Sequence, residues 1–359
     1  DLGKLQDDAA DFEEAIFHVR ATTKWAKARE DFALQAKELL LPLSVLKRGA
    51  GGFLQWILQV TNPMPAEERT RMLDALTRLN PRLVYCAIRA FPTGTAGAEL
   101  PGYEASMQAH SGIMSVTGEH DGDPVRCGVS VVDLGTGMAS VIAILAALRE
   151  RDRTGQGQYV EPALMRTATN FLNYQIAGYT IAGVLPQRYG SGHEALVPYR
   201  NFQCADGAVL IAAGNDRLWA RLCKVLALSD EMGAAPYPTL ALRIANRDAV
   251  NGIVGKAVAQ KKRQDVLDAL DAEGIPCAPV NNIADYLTDE TLVPARVLDK
   301  VKVMEGKEAA LAGPLFGADF LPNARSAPPA LGEHTQEILK SLGYSGAEIE
   351  SLRNKGAVG

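Results

Sequence analysis

Asp133 is the side chain on which chemistry in this chain of 359 residues would turn. It lies within residues 124–158, PVRCGVSVVDLGTGMASVIAILAALRERDRTGQGQ. Val129, Val131 and Val132 form a short β-branched run that predicts a buried strand closed by Asp133. Gly135 and Gly137 are expected to turn the chain. Met138, Val141, Ile142, Leu145 and Leu148 then recur at helical spacing, until Gly155 and Gly157 end the helix. A carboxylate is thereby placed between the carboxyl end of a strand and the start of a helix. Open α/β sheets bind substrates along that edge, and free backbone N–H groups with the helix dipole favour an anion there. Two readings suit such a carboxylate: an N-terminal cap or a member of a substrate site at that edge.

The elements that must hold this residue follow from the rest of the sequence. The length allows two domains and a substantial core, and 47% hydrophobic with 22% charged residues is ordinary for a globular protein. A formal charge of −5 without a charge block favours neither nucleic acid nor an anionic membrane. The longest apolar run, residues 139–148, is expected inside a short helix and falls below the length of a membrane span. The acidic opening, DLGKLQDDAADFEEA, resembles neither a secretory nor a mitochondrial signal. The five cysteines, Cys86, Cys127, Cys204, Cys223 and Cys277, form no CxxC pair and read as reduced thiols, which places the chain in the cytoplasm. The five histidines show no metal-ligand spacing, so no metal is expected.

Residues 8–40 read as helical, with Phe12, Ala15, Ile16 and Val19 on one face. Residues 53–60 read as a strand, 65–79 as a helix opened by Pro65, and 81–88 as a second strand. A loop over 92–102 leads to a helix over 104–117. After the 119–124 turn and the central unit, a long helix is predicted over 162–183. Residues 187–199 carry Gly and Pro and read as a domain boundary. Beyond it come a hairpin over 201–213 turning at Asp206-Gly207, a helix over 215–228 capped by Asn215 or Asp216, helices over 243–259 and 262–273, and a strand at 275–280. A second hairpin over 298–312 and two tail helices, 333–342 and 345–354, complete the order. Alternating strands and helices argue for an α/β protein with a mostly parallel, doubly wound sheet.

Residues 102–158 (GYEASMQAHSGIMSVTG, PVRCGVSVVDLGTG, AALRERDRTGQGQ) closely resemble the class III coenzyme A transferases, the formyl-CoA and carnitine-CoA transferase group that includes the α-methylacyl-CoA racemases. PYRNFQCADG, GNDRLWARLC, EGIPCAPVNN and the tail LGEHTQEILKSLGYSGAEIESLRNKGAV continue the match in order, so the resemblance covers roughly residues 80–359. It implies that Asp133 is the catalytic aspartate, Tyr103 lines the CoA channel and Glu104 lies beside the active site. It also implies a Rossmann-like large domain with a smaller inserted α+β domain, in two chains threaded as interlocked rings. Residues 1–190 would form the first part of the large domain, 191–298 the small domain, and 299–359 a return segment. The family chemistry moves CoA from an acyl-CoA to a small carboxylic acid through a covalent aspartyl intermediate. Gly135 and Gly137 would offer amides to the developing oxyanions. No permanent cofactor is implied, the CoA thioester being a substrate.

Several features depart from the family pattern. Residues 1–50 lack the nucleotide-binding strand and AGP-type loop, leaving Lys47, Arg48, Arg69 and Arg71 as the available cations for CoA phosphates. Ala90-Phe91-Pro92 replaces a Gly-aromatic-Gly turn. Ala212-Ala213-Gly214-Asn215 has one glycine where formyl-type members have a run, a feature of members handling larger or dicarboxylic acids. Two rival readings stay open: a racemase, for which Tyr103 stands where the catalytic histidine should be, and a relative that has lost activity. His110 reads as a packed or surface histidine, His120 with Asp121 and Asp123 as an exposed turn, and residues 154–158 as a helix stop instead of a phosphate loop. Trp25, Trp56 and Trp219 read as core or interface, and His193 belongs to the connecting loop.

Overall fold

A computed structural model describes residues 73, 74, 76–228, 237–290, 297–304, 306–313, 315 and 329–358. The expected elements over 8–40 and 53–60, Trp25, Trp56, Lys47, Arg48, Arg69 and Arg71 lie outside the described residues. The chain divides into two units, Asp1–Glu194 and Ala195–Gly359.

In the first unit, β1 (Tyr85–Cys86) pairs in parallel with β2 (Tyr159–Val160). The ladder continues as a bridge from Arg89 to Ala163. Tyr85 and Tyr159 stack at 5.8 Å across it. Among the described residues four α-helices follow β1 in this unit, α1 (Glu104–Ser111), α2 (Val131–Thr154), α3 (Leu164–Phe171) and α4 (Asn173–Ala182), with a 3-10 turn at Ile113–Val116. The single helix expected over 162–183 is broken at Leu172, whose backbone leaves the helical region at φ −93° and ψ 12°. Its side chain is buried with Phe91, Met107, Ile113, Val132 and Ala168, which form the core under α1.

The strand expected at Val129 to Val132 is absent. Val131 opens α2, so Asp133 lies in the first turn of a 24-residue helix. Val129 faces solvent. The β-branched run suggested a strand, but Val132, Thr136, Ser140, Ile144 and Ala147 are the buried positions, a helical spacing. Gly135 and Gly137 therefore sit inside the helix and turn nothing. Gly155 ends it in the left-handed conformation, φ 80°, its N–H bonded to the Arg151 carbonyl. Gly157 is required by close approach, since a Cβ there would overlap the Leu83 carbonyl.

Helix α2 also corrects the expectation of a short apolar segment: it is long and apolar enough to cross a membrane by length and composition, with a mean hydropathy of 2.0 over its 18-residue window. Its buried side packs on α1 and α3 as a helix within a folded unit does. Polar residues share its inner side, and its outer side is apolar. Thr136 and Ser140 face inward and bond back to the carbonyls of Val132 and Thr136, whereas Leu134, Met138, Val141, Ile142 and Leu145 are more than half exposed.

In the second unit, β3 (Tyr199–Cys204), β4 (Gly207–Ala212) and β5 (Cys277–Pro279) form an antiparallel sheet in the order β3-β4-β5. Cys204 pairs with Gly207, so the β3–β4 turn is Ala205-Asp206. Val209 and Ile211 point into the core with Trp219 and Leu222 of α5 (Asp216–Val225), Val250, Val254 and Val258 of α7 (Arg247–Val258), and Val266 and Leu270 of α8 (Arg263–Ala272). Asn215 caps α5 by accepting the Leu218 N–H at 2.9 Å. On the short helix α6 (Leu240–Ala245), Arg243 is fully buried, donates to the Val197 carbonyl and to Asp216 Oδ1, each at 2.8 Å, and lies over the Trp219 ring. A five-residue helix α9 (Ile283–Leu287) precedes the hairpin of β6 (Leu298–Met304) and β7 (Lys307–Ala312). Helices α10 (Thr335–Ser341) and α11 (Gly346–Asn354) close the unit, with Ser345 and Glu348 capping α11 reciprocally.

Candidate active site

Helix α2 begins without a cap of its own, because the Ser130 side chain makes no capping bond. The acceptors come from α1. Glu104, buried at 8% exposure, accepts the Asp133 N–H on Oε2 at 2.8 Å and the Val132 N–H on Oε1 at 3.3 Å. A carboxylate against the amino end of a helix suits its dipole as well as its free amides. Gln108, one turn along α1 and fully buried, donates Nε2 to Glu104 Oε1 at 2.6 Å. Its own Oε1 accepts the Cys127 N–H at 2.9 Å. Glu104 thus does the work that local sequence offered to Asp133.

Asp133 is thereby left with an exposed carboxylate that no hydrogen bond or ion pair engages among the described residues. Partial desolvation, and second the Glu104 charge, hold its carboxyl above the usual aspartate range. A less acidic carboxylate is a better nucleophile once ionised. One of two adjacent carboxylates is saturated with donors and the other is free to react.

The neighbours take distinct parts. Tyr103 precedes Glu104 and is 84% exposed, an open aromatic face one residue from the buried cap. Gly135 faces α3, and a Cβ there would stand 2.6 Å from Phe171 Cζ and 2.8 Å from Thr167 Cγ2. The bond between the Thr136 and Thr167 hydroxyls, 2.7 Å, fixes the same contact. Gly137 lies one turn beyond Asp133 on its face and has open space where a side chain would be. Both amides belong to the helical ladder, which corrects their expected part as free oxyanion donors. Open space therefore lies beside Gly137, one turn from Asp133.

His110 meets the Phe91 ring edge-on at 5.2 Å, and His120 bonds the exposed Asp121 at 2.8 Å. The cysteines are all free thiols. Among the described residues no group of three or more potential ligands could hold a metal ion. Gln108 was not singled out by sequence reasoning. Its only local signal is the i, i+4 spacing from Glu104 on a helix.

Comparison with known proteins gives the family. The profile of CoA-transferase family III matches residues 63–335. The chain is 33% identical to succinyl-CoA:glutarate CoA-transferase of Mus musculus, over 79% of this chain and 66% of the relative. It is 34% identical to succinate–glutarate CoA-transferase of Agrobacterium fabrum, over 75% and 68%, and 34% identical to succinyl-CoA:mesaconate CoA-transferase of Haloarcula hispanica, over 75% and 69%. The chain therefore spans about two thirds of the length of these relatives. A crystal structure of a CaiB/BaiF family protein from Brucella suis superposes with a TM-score of 0.65 at 33% identity, covering 75% of this chain and 70% of that one. The mixed α/β fold, with its parallel and antiparallel sheets, is that of this group. On the profile, the relatives and the superposition together, the chain belongs to CoA-transferase family III.

Proposed function

We propose that this protein moves coenzyme A from an acyl-CoA to a small dicarboxylic acid, with Asp133 as the covalent carrier. The observation that carries the reading is the division of labour between the carboxylates: Glu104 caps α2, and Asp133 stands free, exposed and unusually basic. The relatives that act on succinyl-CoA with glutarate or mesaconate favour a dicarboxylate acceptor, as does the loop Ala212 to Asn215 with its single glycine. That glycine packs against Leu196, where a Cβ would come within 2.9 Å.

In this mechanism the ionised Asp133 attacks the thioester carbonyl, and the C–S bond breaks to release CoA thiolate and leave a mixed anhydride. The thiolate attacks the aspartyl carbonyl, expelling the donor acid as its carboxylate and leaving an aspartyl-CoA thioester. The acceptor carboxylate attacks that thioester, giving a second anhydride and thiolate. Attack of the thiolate on the acceptor's acyl carbon forms the new acyl-CoA and restores the Asp133 carboxylate. Each step exchanges one acyl bond for another, so no energy-rich co-reactant is consumed. Tyr103 offers a surface for the CoA moiety, Gly137 the room beside the reacting carboxyl. Arg69 and Arg71 remain candidates for its phosphates.

We further propose a homodimer of interlocked chains, each with a Rossmann-like large domain; the apolar face of α2 supports a partner there. The activity is tested by incubating succinyl-CoA with a panel of mono- and dicarboxylic acids and following new acyl-CoA by mass spectrometry. Transfer to dicarboxylates that Asp133→Asn abolishes is the expected outcome. Transfer undiminished in that variant, or none to any acid, would refute the reading.

A further inference from the structure

We infer that Gln108 is a positioning residue for the Asp133 nucleophile, acting through Glu104 on one side and the Cys127 backbone on the other. The inference rests on the proposed reaction and adds to it a residue that touches no reacting atom.

A primary amide at 0% exposure is costly to bury unless both of its ends are satisfied. Here both are. Nε2 donates to Glu104 at 2.6 Å, and Oε1 accepts from the Cys127 N–H at 2.9 Å. The amide is locked in one sense, since flipping it would set Oε1 against the Glu104 carboxylate and Nε2 against the Cys127 N–H. The polar groups act on two things. They turn the Glu104 carboxylate so that Oε1 and Oε2 face the Val132 and Asp133 amides, and they pin the strand of chain that enters α2 at Cys127. The first turn of α2, and Asp133 on it, is held from the cap and from the incoming loop. A nucleophile displaced by about 1 Å loses on the order of a hundredfold in rate.

The test uses the whole chain with two variants. Gln108→Met keeps the volume and deletes both bonds. It is expected to lower kcat by about 10- to 100-fold while KM for acyl-CoA stays within about twofold. Gln108→Glu keeps the shape and places a second carboxyl against Glu104. The pair then shares one proton, and releasing it at higher pH adds a charge beside Asp133 and drives the cap apart. The kcat profile should gain an alkaline limb that the wild type lacks, with circular dichroism unchanged across it. If Gln108→Met does not fold, the new limb in Gln108→Glu decides alone. Wild-type kcat in both variants, or a loss in Gln108→Met that follows the folded fraction with no new limb in Gln108→Glu, overturns the inference. Wild type and Asp133→Asn run alongside: an inactive wild type or an active Asp133→Asn removes the underlying reading as well. A dead Asp133→Asn beside unaltered Gln108 variants removes this inference alone.

Discussion

Glu104 and Asp133 have the same functional group and opposite fates, and backbone amides make the difference. Glu104 accepts from Gln108, Val132 and Asp133. Asp133 accepts nothing among the described residues and sits beside a negative charge, so its carboxyl titrates above an ordinary aspartate. Attack requires the ionised form, so acylation of the enzyme should fail as pH falls through that raised pKa, at a pH where ordinary aspartates are still charged. Stability carries the matching sign. A carboxyl whose folded pKa is raised contributes stability that is fully present below its unfolded pKa and lost as pH rises through the folded one. Asp133→Asn should therefore unfold at a temperature no lower than the wild type at pH 7, and the difference should shrink in acid. Thermal unfolding followed against pH checks this; a markedly less stable variant at pH 7 would contradict it. Asp133, Glu104 and Tyr103 were singled out in the sequence through the motif they share. Gln108 was not, because its meaning lies in bonds to Glu104 and to Cys127, 19 residues on.

Elements read well where the cause was local. Asn215 ahead of α5, the tail helix expected over 345–354 and the hairpin expected over 201–213 are all signalled by adjacent residues. The reading failed at residues 129–132, where a helix start depends on an acceptor 28 residues away in sequence. The β-branched run prefers a strand, but the distant cap satisfies the amides that a helix leaves open, and the run becomes its first turn. The two glycines of α2 then separate structure from function. Gly135 is demanded by Phe171, so a methyl there should cost about 1–3 kcal/mol through overpacking. Gly137 meets nothing, and a helix interior prefers alanine to glycine by about 0.5–1 kcal/mol. Gly137→Ala should raise the unfolding temperature and yet slow transfer, because the methyl occupies space beside Asp133 that the acyl group needs. An unchanged kcat in a stabilised Gly137→Ala would show that the space is not used.

At the scale of the molecule, the family and the mixed α/β class were legible because many motifs stand in the same order, each tied to its own local structure. The exposure of α2 was not. Its apolar residues read as core, but Thr136 and Ser140 occupy the inner face, and Leu134, Met138, Val141, Ile142 and Leu145 look outward. An apolar stripe of that kind marks an interface, and the proposed dimer should be lost when a charge is placed on it. Ile142→Glu is expected to shift sedimentation from dimer to monomer, and a wild type that sediments as a folded monomer would contradict the dimer. The account as a whole narrows to one covalent bond. Peptide mass spectrometry after incubation with succinyl-CoA and quenching with borohydride reads it directly, because reduction of an aspartyl thioester leaves homoserine at that position. The prediction is homoserine at position 133 only when acyl-CoA is present. No modification at 133, or modification of Glu104 in its place, would contradict it.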